Sequence, residues 1–276
     1  IAQLAGTSEG NITGSWLASN PQFGSDPSMA LKPEIGMQLW KELTENQNTS
    51  NWLLFESGYE YSSDDLKSIV FHQSSGESEL HPLYVGSYGE GARPVLNAEF
   101  KIFDSNGPYE NIVFQGVNLA DGARVFTGHN IMFDDVRFEE ILNAQNIDSL
   151  TVHDSVFFDI TKDSTSNGST WSGMSDRTQG MYVDDTNGLL LDGLFLDQIG
   201  WEEDYRFDKS ADGGQVPSIY SHNIYIQYDS TDITMRDSIS MRAASFGAQI
   251  RPGGLIEDNV FIDNNAALNT LGGDSK

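Results

Sequence analysis

A short motif written six times constrains this chain more than any other feature. NIVFQGVNL, NIMFDDVRF and SLTVHDSVF begin at Asn111, Asn130 and Ser149, two successive steps of 19 residues. Later copies are GLLLDGLFL from Gly188, DITMRDSIS from Asp232 and, offset by one, GLIEDNVFI from Gly254. Counting from the first apolar position, apolar or small residues recur at +2, +5 and +7. Position +4 reads Gly116, Asp135, Asp154, Gly193, Asp237 and Asp258. Alternation of period 2 marks strands, and a helix of any length would break it. A tight corner at +4 turns the chain between two strands. A repeat of about 20 residues with Gly, Asn and Asp corners is that of a parallel β-helix, not of the helical repeats.

The expected fold is therefore all-β, a single-domain right-handed parallel β-helix over residues 51–276. Equivalent strands then stack at about 4.8 Å per coil, with ladders of Ile, Val, Leu and Phe inside. The corner Asp column is expected to be structural. Residues 1–50 read as an irregular segment. Within it Ile35, Leu39, Trp40 and Leu43 stand at helical spacing after Pro33, so a short helix is expected, placed to cap one end of the solenoid. Strands are expected over 51–61, 66–73 and 81–96. The open end after residue 270 predicts either a further C-terminal part or self-association, because bare strand edges invite pairing.

A strand precedes each repeat: ARVF (123–126), AQNI (144–147), MYV (181–183), NIYIQ (223–227) and AQIR (248–251). With Val125, Val183, Ile224, Ile226 and Ile250 inward, Arg124, Gln145, Tyr182, Tyr225 and Gln249 form one outward column. Phe126, Ile147, Asp184, Gln227 and Arg251 form a second. Inserts at about 159–180 and 198–222 lead into this sheet and are expected to wall it. Trp171 and Arg177 lie on the first. Trp201 lies on the second, with Glu202, Glu203 and Asp204 as a calcium-binding candidate.

The net charge of −26 argues against nucleic-acid binding, which needs a basic footprint. It suits a soluble protein in a saline setting, and it means that an anionic substrate needs a local cation. There is no cysteine, hence no thiol chemistry. No run approaches the roughly 18 apolar residues of a membrane span. No basic, apolar leader opens the chain, which fits a mature form or one without a signal. Zinc spacings, phosphate loops and nucleophile elbows are missing from the sequence.

From about residue 51 onward the chain resembles the pectate-lyase-like superfamily. PLYVGSYGEGARPVL (82–96) is similar to the opening strand of bacterial secreted members. The segment from Ser221 to Asn264 is similar to bacterial right-handed β-helix repeat proteins. The resemblance implies a secreted bacterial protein acting on an extracellular, uronate-containing polysaccharide, with a lyase reaction as first expectation. β-Elimination needs a group to neutralise the sugar carboxylate, a base for the C5 proton and an acid for the leaving oxygen. Arg251 suits the carboxylate, because its fork binds one bidentately. Gln227 and Gln249 suit as donors, Tyr225 and His222 as base and acid, and Tyr182 as a sugar-stacking ring.

A glycoside hydrolase would use Asp184 and Asp185 instead. The order of that Asp pair, His222 and Arg251 is loosely similar to polygalacturonase-type hydrolases, but their Asn-Thr-Asp-Gly and Gly-His-Gly motifs are absent. A non-catalytic glycan-binding, adhesin or tail-spike module is the third reading.

Overall fold

A computed structural model describes residues 2–6, 10, 19, 30–66, 69–71, 73–102, 109–161, 177–201, 218–270 and 272. Trp171, Glu202, Glu203 and Asp204 lie outside the described residues, as does most of both inserts. The fold is mostly β, and its sheets are parallel. The chain divides into two compact units, residues 1–137 with 147–151, and residues 138–146 with 152–276.

In the first unit the strands are β1 (Ala2–Leu4), β2 (Trp52–Glu56), β3 (Glu60–Tyr61), β4 (Ile69–Val70), β5 (Leu83–Tyr88), β6 (Val95–Leu96), β7 (Phe100–Ile102), β8 (Tyr109–Gln115), β9 (Asn118–Leu119) and β10 (Ala123–Asp134). One ladder runs β1–β2–β5–β8–β10, with β4–β7 joining β10 alongside. A second runs β3–β6–β9. β11 (Arg137–Phe138) and β12 (Leu142–His153) have residues in both units.

In the second unit follow β13 (Val156–Phe158), β14 (Met181–Asp192), β15 (Phe195–Asp197), β16 (Ile224–Ile226), β17 (Thr231–Arg236), β18 (Ile239–Met241), β19 (Phe246–Ile250), β20 (Leu255–Glu257), β21 (Val260–Ile262) and β22 (Ala266–Asn269). Long β14 pairs with β16 through its first half and with β17 through its second. The ladders continue as β16–β19–β22 and β17–β20, and a separate sheet runs β13–β15–β18–β21. Parallel neighbours need a crossover, and the intervening coil supplies it, an arrangement consistent with a parallel β-solenoid.

The repeat is buried as its spacing predicts. Ile112, Phe114, Val117 and Leu119 are inaccessible, and their successors are buried in the next four copies, whereas Ile256, Asn259 and Phe261 of the last copy are only half-buried. Identical side chains one coil apart stack face to face: Phe114 on Phe133 at 4.8 Å and Phe138 on Phe157 at 4.4 Å. Those spacings are close to the distance between strands. Where the repeat carries serine inside, the hydroxyl is used. Ser238 accepts the Leu194 N–H and donates to the Arg236 carbonyl, and Ser240 donates to the Gly247 carbonyl. Buried hydroxyls so partnered carry little cost.

The corner at +4 is left-handed in every copy, with φ of 66° at Gly116, 54° at Asp135, 44° at Asp154, 69° at Gly193, 51° at Asp237 and 54° at Asp258. Glycine enters that region freely, and Asp and Asn are the side chains that tolerate it best. A second left-handed column, Asn111, Asn130, Ser149, Gly188 and Asp232, opens the first five copies. The Asn130 amide donates to the Asn111 side chain at 2.8 Å, so this column is hydrogen-bonded along the stack.

The N-terminal stretch departs from its reading in three ways. β1 lies inside the segment expected to be irregular. The helix forms at Pro33–Thr44 and packs against β1, but it buries Pro33, Gly36, Trp40 and Thr44 and leaves Leu43 exposed. Among the described residues of the strand expected over 66–73, Ile69–Val70 is extended, and Ser63–Leu66 is a helical turn. No helix among the described residues is long and apolar enough to cross a membrane.

Candidate functional site

The outward face of β14, β16 and β19 carries most of the expected site. Val183, Ile224, Ile226 and Ile250 are buried as predicted, which turns their neighbours out. Register aligns Tyr182 with Tyr225, Gln249 and Asn269. The backbone bonds from Gln227 to Val183 and from Arg251 to Ile226 align Asp184, Gln227 and Arg251 in the next column. Gly180, just before β14, fits where a Cβ would meet the Asn223 carbonyl at 2.7 Å, so glycine lets the two backbones approach.

Both columns need correction at β12. Leu142 N–H bonds to the Gly180 carbonyl, which aligns Leu142 with Met181. Asn143, not Gln145, then matches Tyr182, and Gln145 matches Asp184. Ile147 is buried, not outward. The cause is Asn146, whose φ of 56° interrupts the alternation. Asp185 holds the same place in β14 with φ of 44°, and buried Thr186 follows it as Ile147 follows Asn146.

The side chains form one hydrogen-bonded line. Arg251 Nη1 donates to Gln227 Oε1 at 2.9 Å, Gln227 Nε2 to the Tyr182 hydroxyl at 3.5 Å, and that hydroxyl to Asp184 Oδ2 at 3.3 Å. Arg251 also sits 5.0 Å from the centre of the Tyr228 ring. Arg93, Arg124, Arg236 and Arg242 each pair with a carboxylate. Arg251 is held by a neutral amide and a ring, so its charge remains available to a ligand anion. Burial raises the Tyr182 pKa, against the Gln227 hydrogen bond and with the help of Asp184. Tyr182 therefore stands as a proton donor.

His222 lies beneath the tyrosine row. It is 2% exposed, its ring 5.1 Å from Tyr225 and 5.3 Å from Phe246. The Phe246 N–H donates to its Nδ1 at 3.5 Å, which leaves the ring proton on Nε2. Burial lowers its pKa to about 4. At 2% exposure the imidazole packs against Tyr225 and Phe246 and lacks the access to the surface that the acid or base role expected for His222 needs.

The remaining residues are dispersed. Arg177 lies over the Tyr220 ring at 5.8 Å, at the start of the same sheet. Trp201 donates its indole N–H to the Arg242 carbonyl at 2.6 Å, beside the end of β18. Among the described residues no cluster of His, Cys, Asp or Glu could hold a metal ion. Sequence reasoning missed Tyr228 as the ring under Arg251; its place one residue after Gln227 was the available signal. Comparison with family models, with characterised proteins and with solved structures finds no match to this chain.

Proposed function

We propose that this chain is a right-handed parallel β-helix of the pectate-lyase-like kind that cleaves a uronate-containing extracellular polysaccharide by β-elimination. The observation that carries the reading is the register of β14, β16 and β19. It sets two phenols, Tyr182 and Tyr225, on adjacent strands beside an arginine with no carboxylate partner among the described residues. Arg251, assisted by Gln227 and Gln249, neutralises the sugar carboxylate and makes the C5 proton acidic. Tyr225, as phenolate, removes that proton. The C4–O bond breaks as the C4–C5 double bond forms, and Tyr182 protonates the departing oxygen. Solvent then restores both phenols to their starting states.

The hydrolase reading with Asp184 and Asp185 draws less support. The left-handed turn at Asp185 accounts for that residue by itself, and Asp184 already accepts the Tyr182 hydroxyl.

The test is ultraviolet absorbance of the unsaturated product against alginates, pectins, glycosaminoglycans and ulvans, with wild type and Arg251→Gln. A rise that the variant loses supports elimination at this face. New reducing ends without absorbance would overturn it in favour of Asp184 and Asp185. Glycan retained with no product would leave a binding module.

A further inference from the structure

A second surface, in the first unit, has the build of a ligand platform. Register places Trp52 opposite Tyr84, and Gly86 opposite Gln115, with Asp134 following Gln115. The Tyr84 ring lies along its own strand over Gly86. A Cβ on that glycine would meet the ring at 2.5 Å, so glycine is what lets the ring lie down. The Tyr84 hydroxyl reaches across to Gln115 Oε1 at 2.8 Å, and Gln115 Nε2 donates to Asp134 Oδ2 at 2.5 Å. Trp52 tilts against Tyr84, with centroids 4.9 Å apart at 43°, and is 44% exposed. Its indole N–H has no hydrogen-bond partner among the described residues.

We propose that Trp52 and Tyr84 form a stacking platform for a neutral pyranose ring, with Gln115 and Asp134 receiving its hydroxyls. Two fixed rings offer an apolar face to a ligand with C–H bonds on one side. A polar pair with its orientation locked stands at the edge of those rings, where the same ligand carries hydroxyls. A flat molecule with an apolar face and a hydroxylated rim is a sugar. The Asp134 carboxylate repels a uronate, so the sugar is uncharged. Charge thus separates this platform from the Arg251 face, and the two readings stand independently.

Calorimetric titration of the whole chain tests the platform, with gluco-, manno-, galacto- and N-acetylglucosamine oligomers and with oligouronides as contrast. The variants are Trp52→Ala, Trp52→Phe, Gln115→Ala and Arg251→Gln. A neutral oligomer should bind wild type and Arg251→Gln alike. Trp52→Ala should weaken it by about threefold to tenfold, the range for losing one aromatic contact, with Trp52→Phe in between. No neutral oligomer binding to wild type would overturn the proposal. So would binding that Trp52→Ala and Gln115→Ala both leave unchanged. Binding confined to oligouronides and lost in Arg251→Gln would also overturn it, while leaving the lyase reading intact.

Discussion

His222 allows the sharpest test of the packing beneath the tyrosine row. Its ring is buried between Tyr225 and Phe246, and burial alone depresses its pKa to about 4. In the unfolded chain the same group titrates near 6.5. Below about pH 6.5 the unfolded chain therefore binds a proton that the folded chain refuses, and stability falls as pH falls. The full shift of about 2.5 units corresponds to about 3 kcal/mol, and about 2 kcal/mol of it is lost by pH 5. Other groups titrate over the same range, so the quantity to measure is a difference between two proteins.

His222→Gln keeps an acceptor for the Phe246 N–H and removes the titration. Urea unfolding of both proteins, at about pH 7.5 and about pH 5, gives four stabilities. Wild type should lose about 2 kcal/mol more than His222→Gln on that descent. Direct observation of the imidazole resonances should show one histidine silent until about pH 4. Equal losses in the two proteins, or five histidines all titrating near the usual value, would refute the burial argument. The same experiment bears on mechanism, because an imidazole that stays neutral cannot supply the catalytic proton.

Two further perturbations probe the coil. Gly193→Ala forces a Cβ at φ of 69° to within 2.3 Å of Asp154 Oδ1, and should cost at least about 1–2 kcal/mol in urea unfolding; no change would mean that the corner is not left-handed. Arg242→Ala strands Asp197, a carboxylate 3% exposed and held through both its oxygens at 2.7 and 2.5 Å. The Arg242 side chain is itself half-open to solvent, so the expected loss is about 2 kcal/mol, below that of a fully enclosed pair.

The interior was legible because one rule governs it. Ile, Val, Leu and Phe at fixed offsets are buried in the first five copies, and Gly or Asp at +4 is where the chain turns left-handed in all six. Both signals are properties of single residues, and repetition averages out exceptions such as Ser155 and Ser238. The outward columns were read only in part. Strict alternation from Ala144 put Ile147 on the surface, whereas Asn146 breaks it. One left-handed residue shifts the face of the side chains that follow it, until left-handed Ser149 shifts them back and Leu150 and Val152 are buried again. The helix was found and its stripe only in part: Trp40 is buried, Ile35 and Leu39 half-buried and Leu43 exposed, while Pro33 and Gly36 pack closely without looking hydrophobic.

The Trp52–Tyr84 platform shows what a sequence with a visible repeat still conceals. PLYVGSYGEG reads as a strand, and nothing in it says that the tyrosine lies flat. That follows only when Gly86 is known to stand two residues on, opposite Gln115, with Trp52 one strand away. Arg251 presents the same problem in charge instead of shape. In a chain of net charge −26 an arginine is expected to find a carboxylate, and four of its fellows do. The role proposed for it depends on register having placed Gln227 and Tyr228 where a carboxylate would otherwise be. Replacing Gln227 by Glu supplies the missing anion at the same distance. If the lyase reading holds, Gln227→Glu should abolish turnover on uronates as fully as Arg251→Gln does. It should leave neutral-sugar binding at Trp52 untouched. Undiminished turnover in Gln227→Glu would show that the Arg251 charge is not what the substrate meets.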